Sequence, residues 1–164
     1  MAVDVAIDPA SAADAEDLAP RLRPEEIAEV LAADGMEPLQ ALLESVSVSQ
    51  EAYTVRFNGE VAFIFGVMLV DESPGCGRIG AAWLLTSGLV DRYPVAFWRI
   101  SKNMLPWLLE RWDALINAID VRHTKAIRWA KRLGIPLREP APFGAAGHDF
   151  CCFLVTREDL CVRH

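Results

Sequence analysis

The sequence lacks an apolar run long enough for a membrane-spanning helix, a surplus of basic residues, and a glycine-rich loop. Each absence removes a class of function. A bilayer-crossing helix takes about 20 consecutive apolar residues, so no membrane span is expected. Asp4, Asp8, Asp14, Glu16 and Asp17 crowd the N-terminus, where a secretory leader would be basic and then apolar, so no leader is expected either. A formal charge of −7 argues against broad binding to nucleic acid or anionic membranes. The four cysteines, Cys76, Cys151, Cys152 and Cys161, lack the even spacing of a disulfide framework, and a reducing cytosol fits them best.

What is present is core. Hydrophobic residues make up 52% of the 164 residues, and five of them are tryptophan. Such a chain buries a sizeable core, and residues 1–164 read as one globular domain. The stretch from Trp112 to Gly134 organises it. Trp112 to Val121 is a short apolar, β-branched run, long enough for one buried strand. After the polar turn Arg122-His123-Thr124, Ala126, Ile127, Ala130 and Leu133 form one apolar stripe at helical spacing, and Gly134 stands where a C-terminal cap belongs.

Upstream, Val3 to Ile7 alternates as an exposed first strand, ended by Asp8-Pro9. Ser11 caps a helix running to about Leu22. Pro24, with Glu25 and Glu26 in the first turn, opens a second whose inner face is Ile27, Val30 and Leu31. Pro38 starts a third, facing inward through Leu39, Leu42 and Leu43. The period then changes. Ala52–Phe57 and Glu60–Val70 flank Asn58-Gly59, a strong hairpin turn. The nearly unbroken apolar run from Val61 predicts a strand buried on both faces, with helices covering both sides of the sheet. Another strand spans Arg78 to Thr86. Pro94 opens a helix reaching about Trp112, facing inward through Phe97, Ile100, Met104 and Leu108 and kinked at Pro106. Beyond the joint come Leu137 to Pro140, a turn at Pro142 to Gly144, and a strand from Asp149 to Val155. The fold class is therefore α/β (α+β mixed): an antiparallel N-terminal meander leading into a central mixed sheet with helices on both faces.

This order resembles the GNAT N-acetyltransferase superfamily over nearly the whole chain. Members run from a fifth strand through a polar turn into a helix that ends in a Tyr-x-x-x-Gly-Phe-like signature. Here His123 stands where asparagine is usual, Trp129 near the tyrosine, and Ile135 at the phenylalanine. A narrower resemblance is to tailed-phage and prophage proteins related to the small internal virion protein of T7-like podoviruses. It rests on Phe57-x-Gly59, Ala62-x-x-x-Gly66, Trp83-Leu84-Leu85-Thr86-Ser87, Asn117-x-x-Asp120, Ile127-Arg128-Trp129, and Phe143-Gly144 followed by Phe150 and Phe153. It implies a phage or prophage origin, other phage or host proteins as partners, and a place in the host cytoplasm and the virion. A homodimer is left open.

Acetyl transfer from a thioester to an amine needs a diphosphate cradle, a donor for the thioester carbonyl, and groups that move protons. The resemblance places the cradle for acetyl-CoA at Leu85, Thr86, Ser87, Gly88 and Arg92. Superfamily enzymes carry Gln/Arg-x-x-Gly-x-Gly/Ala there, whereas this loop has one glycine, the acidic Asp91, and Pro94 without a donor. It reads equally as an ordinary strand-to-helix loop. Asn117, Asp120 and His123 are the catalytic candidates, as carbonyl donor and bases, with Glu44 a further acid. Against these roles stand a sheet-satisfied amide for Asn117 and a turn residue for Asp120. Trp129 cannot protonate a thiolate and reads as core. Cys151, Cys152, Cys161, His148 and His164 invite a zinc reading, but adjacent strand cysteines point to opposite faces, so no metal site is assigned. Arg122, Lys125, Arg128, Lys131 and Arg132 form a basic helix face, either solvated or a docking surface. Two functions remain: a virion-associated or host-interaction protein with degenerate or absent catalysis, and an acetyl-CoA-dependent N-acyltransferase.

Overall fold

The computed structural model describes residues 2–161, the last of them by its backbone alone. Strands β1 (Val5–Pro9), β2 (Glu51–Phe57), β3 (Glu60–Asp71), β4 (Ile79–Thr86), β5 (Ala114–Asp120), β6 (Ala141–Pro142) and β7 (Asp149–Thr156) form one sheet. Its order is β1-β2-β3-β4-β5-β7-β6. The helices are α1 (Ala12–Leu18), α2 (Pro24–Asp34), α3 (Pro38–Val48), α4 (Leu89–Arg92), α5 (Pro94–Leu108), α6 (Thr124–Leu133) and α7 (Arg157–Cys161). No helix among the described residues is long and apolar enough to cross a membrane.

The hairpin forms as expected. Asn58 and Gly59 take φ of 51° and 85°, the left-handed pair that a tight two-residue turn requires. Val61 to Val67 is buried residue by residue, so β3 has helices on both sides. Its Ile64 joins Leu18, Leu42 and Val30 under α1, α2 and α3. Phe63, Phe65 and Val67 join Leu105, Leu108 and Trp112 on the opposite side. The joint also forms as read. α6 spans Thr124–Leu133 and ends at Gly134 with φ 90°.

Five expectations shift, one of them on α3, where Leu39 is exposed and Ala41 and Leu42 face the core. β1 runs through Asp8-Pro9 rather than stopping there, because an exposed outermost strand tolerates a proline. The first helix ends at Leu18 and continues as a 3-10 turn over Ala19–Arg21, since Pro20 interrupts it. α5 stops at Leu108, soon after Pro106, and Trp112 turns into the core. Finally, α2 faces inward through Glu26 and Val30, leaving Ile27 and Leu31 exposed. Hydrogen-bond donors on the sheet, the Thr86 hydroxyl for Glu26 and the Asp120 amide for Glu29, account for that rotation.

One pairing creates the site. β4 and β5 are the parallel neighbours, and their pairing is confined to Ile79↔Ala114, Gly80↔Leu115 and Ala81↔Ile116. Beyond that point β4 stays bonded to β3 as far as Thr86, and β5 to β7 as far as Asp120. The two strands therefore part company, and the sheet opens between Ala82–Thr86 and Asn117–Asp120.

Candidate functional site

The opening is a cavity of about 570 Å³ that passes through the sheet. On one side it meets α2, with Arg23, Glu26 and Glu29; on the other it meets Phe97 and Trp129 of α5 and α6. Asn117 stands at its vertex. Its side-chain amide donates to the Ala82 carbonyl and its oxygen accepts from the Ala118 amide at 2.7 Å, so it bridges the first unpaired position of the two strands.

At the wide end lies a buried polar cluster. Glu26 is 2% exposed and accepts from the Thr86 hydroxyl and from Arg23 Nη2, the latter at 3.2 Å. His123, at the N-cap of α6, is 3% exposed. Its Nδ1 lies 3.4 Å from Glu29 Oε2, an ionic contact without hydrogen-bond geometry, and Nε2 has no hydrogen-bond partner among the described residues. Glu29 is held in turn by the Asp120 backbone amide at 2.9 Å. Burial pushes the Glu26 carboxyl above its usual range, and His123, Thr86 and Arg23 offset only part of that. Burial alone would pull His123 down, but the adjacent Glu29 carboxylate and the negative charge of Glu26 outweigh it, so its pKa is raised. Both shifts say that the cluster holds protons more readily than the same groups in water.

Ion pairs cross the mouth of the opening. Asp91 of α4 lies 3.1 Å from Arg23 and 3.2 Å from Lys125, and Lys125 lies 3.4 Å from Glu25. The loop after β4 is closed on itself. Ser87 donates its amide to the Ala62 carbonyl at 2.8 Å, and its hydroxyl oxygen takes the Leu89 amide at 3.3 Å. The amides of Val90, Asp91, Arg92 and Tyr93 donate to Ser87, Gly88, Gly88 and Leu89 carbonyls, respectively. Pro94 has no amide hydrogen. A four-residue helix, α4, thus spends the amides from Leu89 to Tyr93 within the loop.

The structure places the remaining sequence candidates as follows. Asp120 is buried and bound by the Arg122 guanidinium at 2.6 Å and the Arg122 amide at 2.9 Å, which lowers its pKa despite burial. It orders the turn into α6 and presents its backbone to Glu29. Thr86 and Ser87 are buried and internally bonded, Leu85 is core, and Gly88 and Arg92 are exposed. Glu44 lies exposed on α3. Of Asn117, Asp120 and His123, only His123 brings an unspent side-chain nitrogen into the opening. Trp129 is half-buried and stacked on Phe97 at 6.1 Å. Cys151 and Cys152 sit opposite Ile119 and Ala118 on β5, and His164 and the Cys161 side chain lie outside the described residues. Sequence reasoning missed Arg23, Glu26 and Glu29. The available signal was the i, i+3 spacing of the two glutamates on one helix face.

No protein-family model matches the sequence, and no curated protein matches it. Solved structures do. The chain is similar to an acetyltransferase of the GNAT family from Streptococcus pneumoniae, with TM-score 0.61 and 15% identity over 93% of this chain and 99% of that one. It is similar to ribosomal-protein-S5-alanine acetyltransferase from Vibrio fischeri, with TM-score 0.64 and 13% identity over 98% of this chain and 99% of that one. It is likewise similar to the aminoglycoside acetyltransferase AAC(6')-Ib in complex with coenzyme A and kanamycin, with TM-score 0.69 and 12% identity over 98% of this chain and 99% of that one. The chain has the GNAT fold.

One of these neighbours was solved with coenzyme A, whose diphosphate gives a geometric question to put to the loop here. A diphosphate takes several converging amides at a helix N-terminus. Here the loop amides from Leu89 to Tyr93 are bonded within the loop and a carboxylate, Asp91, stands among them. The loop after β4 does not fit a diphosphate. The opening between β4 and β5 remains.

Proposed function

We propose that the chain is a phage or prophage protein that keeps the acetyltransferase-like fold as a scaffold. It acts through contacts with other phage or host proteins, in the host cytoplasm and the virion, with catalysis degenerate or absent. The observation that carries the loss of catalysis is the internal bonding of the amides from Leu89 to Tyr93, with Asp91 paired to Arg23 and Lys125. The narrower sequence resemblance supports the phage setting. Titration with coenzyme A and acetyl-CoA tests the first part. A ligand with Kd of about 100 μM, present at about 1 mM, would add roughly 1.4 kcal/mol of stability. The expected result is no shift in Tm and no heat. Recovery of the protein with purified particles, or with a phage or host protein from infected cells, tests the second part. Absence from both overturns it.

A second reading, an acetyl-CoA-dependent N-acyltransferase for a small amine or protein amine, is favoured by the cavity through the sheet and by His123. In that reading His123 Nε2 takes the proton of the incoming amine while Glu29 steadies Nδ1. It requires saturable coenzyme A binding and an acyl-transfer rate lost in His123→Gln. A flat titration removes it.

A further inference from the structure

The cluster at the wide end gathers acidic side chains from α2 and α4 around one histidine. Glu25, Glu26, Glu29 and Asp91 are four carboxylates, and the permanent cations paired with them are Arg23 and Lys125. Among the described residues, two of its members also have polar atoms that lack hydrogen-bond partners. His123 is 3% exposed and neither ring nitrogen has a hydrogen-bond partner. Glu26 is 2% exposed and its Oε2 has no partner, although Oε1 is held by Thr86 and Arg23. Buried polar atoms without partners are costly, on the order of 1–3 kcal/mol each, and each calls for an explanation, a bound ion being one.

Donor atoms of Glu26, Glu29 and His123 lie within 4.8 Å of one another. Donors on one zinc ion stand roughly 3–4 Å apart, given bonds of about 2.0–2.2 Å. The set closes on one ion when the donors draw in by roughly 1 Å. We propose that Glu26, Glu29 and His123 bind a divalent transition-metal ion, best matched by Zn²⁺, which pins α2 to the start of α6 across the opening between β4 and β5. One imidazole nitrogen and two carboxylates suit a borderline cation. The outer contacts are those a metal site needs. Thr86 orients Glu26, and the Asp120 amide orients Glu29. Because the three residues line the cavity, the ion keeps a position open to water on that side. The superfamily resemblance contributes nothing to this site, and the cysteines are not part of it.

The test is direct titration of the metal-stripped full chain with Zn²⁺, and with Co²⁺ as a coloured substitute. At about a hundredfold excess over Kd, Zn²⁺ should raise Tm by roughly 5–10 °C. Bound Co²⁺ should show ligand-field bands without a thiolate charge-transfer band. Affinity should fall about a hundredfold in Glu29→Gln and in His123→Asn, each checked for folding by circular dichroism. It should be unchanged in the Cys151→Ser, Cys152→Ser double variant. Where a variant fails to fold, imidazole NMR of the wild-type chain decides, since Zn²⁺ must move the His123 ring signals and leave those of His148 in place. No Tm shift, a thiolate band, binding lost with the cysteines, or an unmoved His123 would each overturn the proposal.

Discussion

The two ends of the β4–β5 pair are built from the same strands and solve opposite problems. At the paired end, Gly80 lets Trp112 lie directly on the sheet, and the space a Cβ would need is already taken by Val67 and the indole. Trp112 is 1% exposed, its Nε1 donates to Glu51 at 3.1 Å, and Arg78 lies 4.1 Å over its ring. Every polar atom of that indole is used. At the open end, Thr86 and Asp120 have parted, and the gap is filled by charged groups from α2 and α6, two of them unfinished. An apolar wedge closes one end and unsatisfied charge holds the other. Ligand chemistry therefore belongs to the open end, and the greater share of stability to the closed one.

The largest effect that tests this division is Trp112→Ala, which should cost about 3–5 kcal/mol in urea unfolding, the range for deleting a buried aromatic. An equal loss from His123→Ala would break the division. Gly80→Ala comes next. The added methyl would sit 2.2 Å from Val67 Cγ1 and 2.8 Å from the Trp112 ring, so overpacking should cost roughly 1–3 kcal/mol.

The pH dependence of stability should differ between the ends as well. At the closed end, burial tends to raise the Glu51 pKa, but bonds from Arg111 and Trp112 outweigh it and lower it. Its contribution is complete above the ordinary value of 4.5 and is lost as pH falls through the folded value. At the open end the signs reverse. Glu26 and His123 both have raised values, so folding takes up protons there. The His123 contribution is complete below 6.5 and disappears as pH rises through its folded value, and Glu26 adds a decline that begins above 4.5. Metal-free wild type should thus lose stability on both limbs. Glu51→Gln should flatten the acid limb alone, and Glu26→Gln the alkaline limb alone, by thermal melts across pH 3–9. Identical profiles would refute the assignment.

Sequence reasoning reached the locally determined elements far better than the charged cluster of the open end. Asn58-Gly59, the run from Val61 to Val67, and the stripe ending at Gly134 each carry a local rule that tertiary contacts leave intact. The open end depends on contacts that local rules miss. Glu26 reads as a first-turn carboxylate answering the helix dipole, and only the partners Thr86 and His123 across the sheet explain its burial. α2 consequently turns Ile27 and Leu31 outward against its apolar spacing. The loop after β4 hid α4 for a similar reason. Pro94 announces the start of α5 so strongly that the preceding four residues read as plain connection.

The smallest effect belongs to the vertex, where the two ends meet. Asn117 is exposed, yet its side chain spans from β5 to the Ala82 carbonyl just past the last paired residues. If it only satisfies local backbone, Asn117→Ala should cost about 0.5–1 kcal/mol, the ordinary worth of such bonds near water. If it also sets where the strands separate, amide exchange should change on both sides of it. Ala82 and Ala118 should then exchange faster, with the paired segment Ile79–Ala81 unaffected because Trp112 still wedges it. Faster exchange spreading into Ile79–Ala81 would show that the vertex, rather than the tryptophan, holds the strands together, and the division between the two ends would have to be redrawn.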